Sequence, residues 1–235
     1  GDVQLYALAL EYAFNDQWSL VAAKDGYVDF NPDETLSEES GFADISVGAK
    51  WAFYADEESD TYAASKWMVQ LPTGDEEVFQ GNGDGVLMPS VTGSTQLFDH
   101  FQLTATTGLS VPFDDDEQST IWFQGWHVSY ALTEAISPLI ELNHFRVLSA
   151  GEGPNQFGDQ AGGNVPAIAE FEGGDLFNLG ASNSDNNRDI VTMGIGSRFQ
   201  VLDHLDLGIA YEFPLTEEEN NLMENRTTVD LIYRF

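Results

Sequence analysis

The sequence predicts an all-β fold, an antiparallel transmembrane β-barrel of the bacterial outer membrane with about 12 strands. Three observations predict it. Strand-like segments, mostly ten residues or longer, run the whole length of the chain. Soluble strands average nearer five or six residues, whereas a tilted membrane strand needs about 9–11. Short and long connections alternate without exception, as in barrels with tight periplasmic turns and longer extracellular loops. The chain also closes on Val229-Asp230-Leu231-Ile232-Tyr233-Arg234-Phe235, an alternating strand that ends on an aromatic residue.

Composition narrows the function classes. Of 235 residues, 40 are acidic and 8 basic, for a net charge of −32. A nucleic-acid partner is excluded, because phosphates need Lys and Arg. The 42% hydrophobic and 12% aromatic content is too high for a disordered acidic chain. There is no cysteine, hence no disulfide framework and no thiol chemistry. No apolar run approaches the length of a membrane helix. No leader is visible from Gly1 onward, and an exported chain would have lost one. The chain reads as one barrel domain over residues 1–235.

Eleven segments are expected: Asp2–Phe14, Gln17–Phe30, Gly41–Ala55, Thr61–Leu71, Val86–Phe98, Phe101–Phe113, Ser119–Ala131, Ile136–Leu148, Ile190–Gln200, Leu205–Phe213 and Arg226–Phe235. A strand sends alternate side chains to opposite faces, and a membrane barrel should be apolar outside and polar inside. The third segment sets Ala43, Ile45, Val47, Ala49, Trp51 and Phe53 against Asp44, Ser46, Gly48 and Lys50. In the sixth, Phe101, Leu103, Ala105, Leu109 and Val111 oppose Gln102, Thr104, Thr106 and Ser110. The tenth sets Leu205, Leu207, Ile209, Tyr211 and Phe213 against Asp206, Gly208, Ala210 and Glu212. The second and seventh segments are ambiguous, with Lys24 and Gln124 the awkward residues.

The five long connections, 31–40, 72–85, 114–118, 149–189 and 214–225, hold twenty-three acidic residues and one base, Arg188. Most of the negative charge therefore falls on the expected outer surface, bridged by divalent cations to lipopolysaccharide or simply solvated. Asp114, Asp115, Asp116 and Glu117 are weak Ca²⁺ candidates, as is Gly81–Gly85, and neither matches a spaced ligand loop. The 149–189 connection carries Phe157, Ile168, Phe171, Leu176, Phe177 and Leu179. Such apolar content suggests an extracellular loop acting as plug or lid. Aromatics gather beside the short turns (Tyr12, Phe14, Trp18, Trp51, Phe53, Tyr54, Phe98, Phe101, Tyr130, Phe199 and Phe235), as in an interfacial girdle. Tyr233 and Phe235 fit the terminal signal read by the barrel-insertion machinery, the partner expected during biogenesis. Outer-membrane lipid and lipopolysaccharide are the other expected partners.

Counting directions leaves one gap. If the turn at Asn15 is periplasmic, the first and eleventh segments both run downward, and they cannot pair antiparallel. Single-chain bacterial barrels have even strand numbers, so an upward strand is expected before Gly1.

Several motifs resemble a known family. Gly41-Phe42-Ala43-Asp44-Ile45-Ser46-Val47-Gly48-Ala49-Lys50 is similar to its G-x-x-D-hydrophobic-x-hydrophobic-G-x-K strand. Gln70-Leu71-Pro72-Thr73-Gly74-Asp75 resembles its K-L-P-T-G-D strand end, with Gln70 where Lys is frequent. Ser129-Tyr130-Ala131-Leu132-Thr133, Glu141 and the ending Tyr233-Arg234-Phe235 also fit. These features resemble the MetA-pathway-of-phenol-degradation family of outer-membrane proteins. The resemblance implies a barrel that takes up small, apolar or aromatic compounds.

The expected inward charges are Glu11, Asp44, Lys50, Lys66, Glu141, Arg198, Asp206, Glu212, Asp230 and Arg234. A five-residue turn at 56–60 would set Ala55 opposite Thr61 and Lys50 opposite Lys66. Opposed like charges are unfavourable unless Glu11 or Glu141 neutralises them; otherwise they form a constriction for carboxylate-bearing solutes. Arg198 is expected to pair with Asp206 across the 201–204 turn. His127, His144, Glu141 and Ser129 lie on neighbouring segments, but no nucleophile–base–orienter set is defined. No catalytic residue, resident metal or cofactor is assigned. The expected function is passive passage of small molecules; the alternative is a structural or surface-interaction barrel whose acidic loops bind a partner.

Overall fold

The computed structural model describes residues 1–33, 37–78, 80–81, 83–98, 100–114, 118–151, 189–216 and 224–235, excepting the side chains of residues 24 and 25. Its strands are β1 (Asp2–Ala13), β2 (Trp18–Asn31), β3 (Glu39–Phe42), β4 (Ile45–Asp56), β5 (Thr61–Leu71), β6 (Val86–Leu97), β7 (Phe101–Pro112), β8 (Thr120–Tyr130), β9 (Ile136–Ser149), β10 (Asp189–Leu202), β11 (Leu205–Pro214) and β12 (Arg226–Tyr233). A 3₁₀ turn, Glu76–Val78, interrupts the β5–β6 connection. All twelve strands belong to one sheet in the order β1-β2-β4-β5-β6-β7-β8-β9-β10-β11-β12, with β3 pairing β2 beside β4. Strands consecutive along that order pair antiparallel.

Side-chain alternation divides the sheet into two surfaces. Large apolar residues are exposed on one: Leu8, Leu10 and Tyr12 on β1, Val47 and Trp51 on β4, Trp126 and Val128 on β8, Ile209 and Tyr211 on β11, Val229 and Leu231 on β12. The register aligns these residues across neighbours, as in Leu103↔Val128, Val128↔Ile140 and Ile209↔Val229. The opposite, inner surface aligns Thr104↔His127 and His127↔Glu141. An apolar exterior around a polar interior inverts the distribution of a soluble protein and suits a bilayer.

Two local departures from the expected pattern have physical causes. The third expected segment is divided into β3 and β4, because the chain leaves the β2 edge at Ala43 and Asp44. There the Ala43 N–H donates to the Gly26 carbonyl (3.0 Å), and Asp44 is taken up by the 72–85 connection. At the β4–β5 turn, Asp56, not Ala55, faces Thr61. A bulge between Ala52 and Tyr54 absorbs the extra residue and restores Lys50 opposite Lys66.

The edges of the sheet, β1 and β12, run in the same direction, and among the described residues no ladder joins them.

The apolar packing inside the barrel is small and eccentric. Val28, Ala43 and Val78 are buried together against Val3, Leu5 and Phe30. Val78 comes from the β5–β6 connection, so that connection folds inward rather than away into solvent.

Candidate functional site

The inner wall carries the groups able to meet a solute. On β6 and β7 it is lined by hydroxyls paired across strands: Thr92 with Thr106 (2.8 Å) and Ser94 with Thr104 (2.9 Å). Either member of each pair can donate, leaving lone pairs directed inward.

Charges occupy the two sides of this hydroxyl wall. On the β1–β5 side, Lys50 forms an ion pair with Glu11, which also accepts from the Ser19 hydroxyl (2.7 Å). Glu11 thus relieves the opposition of Lys50 and Lys66, while Glu141 lies across the barrel with His127 (2.8 Å).

On the β9–β12 side the expected Arg198–Asp206 pair does not form. Register explains why: Arg198 faces Gly208, which in turn faces Asp230. Gly208 has no side chain, so Asp230 reaches across it to Arg198 (3.3 Å). A Cβ on Gly208 would lie 2.1 Å from Asp230 Oδ2. Asp206 is instead held by Arg234 (2.5 Å). Arg226 donates through Nε (2.9 Å) and Nη2 (2.5 Å) to Glu212. Glu212 also accepts from Asn143 (3.1 Å) and the Thr192 hydroxyl. Arg226 was absent from the sequence-derived set, although its parity with Asp230 and Arg234 on one strand marks it as inward.

Asp44 has a different role from the other inward charges. It is only 4% exposed. Its Oδ1 accepts the backbone N–H groups of Thr73 (3.0 Å), Gly74 (2.9 Å) and Gly81 (2.9 Å), and its Oδ2 accepts from Gln70 (2.8 Å). Three neighbouring bonds reinforce this clamp. The Phe42 N–H donates to Asp75 (2.6 Å), the Ile45 N–H to Thr73 Oγ1 (3.1 Å), and the Asp44 N–H to Gln80 (3.3 Å). The Gln70-Leu71-Pro72-Thr73-Gly74-Asp75 stretch is therefore the counterpart that closes on the β3–β4 break. Gly81 has φ +71, and a Cβ there would meet the Gly74 carbonyl at 2.3 Å. A side chain at that position would force the clamp open.

Two cavities open on the inner wall. One, of about 260 Å³, lies against β7–β9 and is lined by Thr104, Thr106, Phe123, His127, Glu141, Asn143 and neighbours. The other, of about 350 Å³, sits near the short-turn end beside Tyr62, Gln96, Gln102, Ser129 and Ser137. The connection 149–189, expected as a plug, lies outside the described residues apart from its first three and its last. Asp114 is described, whereas Asp115, Asp116 and Glu117 are not. Among the described residues no group of three or more His, Asp or Glu side chains could hold a metal ion.

The outer surface has features of its own. Tyr12, Phe14, Trp18, Trp51, Phe53, Tyr54, Phe98 and Phe101 are exposed beside the short turns. Trp18 and Trp51 stack at 5.8 Å, and Tyr233 stacks with Phe235 at 6.4 Å. Farther up, Gln124, His144, Arg146 and Asp189 share the outer face, where His144 (2.7 Å) and Arg146 (3.3 Å) pair with Asp189. Their mutual bonding reduces the cost of polar groups on an otherwise apolar surface. It also accounts for Gln124, awkward in the sequence, which lies 3.4 Å from His144 Nδ1.

Comparison with known proteins agrees with this architecture. The NanC porin structure aligns with a TM-score of 0.62 at 8% identity, covering 99% of this chain and 94% of that one. The COG4313 outer membrane channel from Pseudomonas putida F1 aligns with a TM-score of 0.62 at 14% identity, covering 98% of this chain and 82% of that one. No curated protein matches the chain. Residues 33–228 match the family model described as "Putative MetA-pathway of phenol degradation". The match spans most of the sequence, so the chain belongs to that family of outer-membrane β-barrels, and its place is the bacterial outer membrane.

Proposed function

We propose that the protein is a passive channel for small molecules across the outer membrane. One observation carries this reading. The inner wall carries paired hydroxyls and mutually compensated, partly exposed charges, with Phe123 and Phe145 among them, while the continuous apolar surface is outside. A lumen filled only for stability would gain more from apolar packing than from partly exposed ion pairs, which are worth about 1 kcal/mol or less. The inward 72–85 connection narrows one side of this path.

Purified full-length protein in liposomes should pass sugars and amino acids in a swelling assay and give discrete conductance steps in planar bilayers. Shortening the 72–85 connection should raise conductance. Absence of conductance from both the wild type and the shortened variant would overturn the channel. The acidic loops would then favour a surface-interaction barrel.

A further inference from the structure

We infer that the cavity between Thr104, Phe123, Gly125, His127, Glu141 and Phe145 is a subsite for a small organic cation, an ammonium group carried on a single ring or a short alkyl body. The inference deepens the channel reading by naming a solute class, and it rests on that reading for its biological meaning.

The shape comes from two glycines and two rings. Glu141 and Asn143 project inward from β9, flanked in register by Gly125 on β8 and Gly194 on β10. A Cβ on Gly125 would lie 3.2 Å from Asn143 Oδ1, and one on Gly194 would lie 3.4 Å from Glu141 Oε2. Each acceptor therefore leans into space that a side chain would have filled. Phe123 and Phe145 are paired across β8 and β9 and wall the cavity. Phe123 lies over Gly108, whose Cβ would meet its ring tip at 2.4 Å.

The lining offers the Glu141 carboxylate, the Asn143 amide oxygen, Thr hydroxyls and two phenyl rings; none of its described residues is Lys or Arg, and its imidazole, His127, is bonded to Glu141 Oε1 (2.8 Å), which leaves Oε2 for a donor. The nearby Glu212 is engaged by Arg226, Asn143 and Thr192 and does not line the cavity, so Glu141, held by His127 through Oε1 alone, is the cavity's own carboxylate. An ammonium can donate to such acceptors and lie over a ring face, where cation–π attraction adds to the carboxylate's field. A carboxylate-bearing solute would face Glu141, and the one basic side chain among the described lining residues, His127, is already bonded to that carboxylate (2.8 Å). A bare divalent cation would find one carboxylate where it needs several oxygen ligands. The volume, about 260 Å³, falls below the usual 300–1,000 Å³ of ligand pockets, which limits the occupant to a small body. Acidic extracellular loops favour delivery of the same charge sign.

The test uses folded full-length protein in detergent, titrated calorimetrically with benzyltrimethylammonium, benzoate and benzyl alcohol, and the same three added during single-channel recording. The ammonium should bind and interrupt the current, with benzoate and benzyl alcohol at least about tenfold weaker. Glu141→Gln, checked for native heat-modifiable migration, should weaken ammonium binding by about tenfold or more, the size of one charge-assisted hydrogen bond. Phe145→Leu should weaken it several-fold and leave benzoate unchanged. Equal binding of benzoate, or undiminished ammonium binding by Glu141→Gln, would overturn the subsite. Calorimetry reads the subsite without conductance, so a silent bilayer would count against the channel alone.

Discussion

At the scale of single residues, burial decides which charges are structural. Asp44 holds three backbone N–H groups and one amide that would otherwise lack acceptors. Leaving a buried donor unpaired costs about 1–3 kcal/mol. Asp44→Ala should therefore free the 72–85 connection, read as new protease cleavage within it and an earlier urea transition. Asp44→Asn keeps one carbonyl acceptor and should lose less. A second contrast compares ion pairs. Glu212 has a side chain 9% exposed beneath Arg226, whereas Arg198 and Asp230 are 40% and 39% exposed. Arg226→Met strands a buried carboxylate and should cost about 3–5 kcal/mol. Arg198→Met should cost about 1 kcal/mol or less. Urea unfolding in detergent micelles measures both, and equal losses would contradict the ranking by burial. Parity sorts the charges of a strand onto one face in the sequence, but it does not name their partners. Arg198 reaches Asp230 because Gly208 stands between them, a three-strand relation that no pair of neighbouring positions reveals.

At the scale of elements, the β4–β5 hairpin shows both the reach and the limit of the pattern. Alternation and length marked the strands, and the Lys50–Lys66 register was legible. The turn that produces it was not, because a bulge at Phe53 cancels one extra turn residue. Deleting Phe53 should leave parity intact and give a protein that migrates as a folded barrel before heating. Deleting Ala49, from the regular ladder, forces one half of β4 to reverse its faces and should abolish that migration. Equal behaviour of the two deletions would contradict the register. The β3–β4 break was hidden for a related reason. Residues 41–55 alternate smoothly, and only the three-dimensional return of Thr73, Gly74 and Gly81 draws Asp44 out of the ladder.

At the scale of the whole molecule, strand length, alternating connections and two-faced segments each point to one closed surface, and they agree because all follow from satisfying the backbone within a bilayer. The solute was not legible in the same way, because an inner wall is defined by side chains from many strands converging across space. The central claim is that alternate residues of one strand face water and lipid. The chain has no cysteine, so single cysteines can be placed at Thr104, Ala105, Thr106 and Thr107 on β7 and probed in proteoliposomes with a membrane-impermeant thiol reagent. The predicted result is rapid labelling at 104 and 106 and protection at 105 and 107. Labelling at 105 and 107 with protection at 104 and 106, or protection at all four, would contradict a polar path through the barrel.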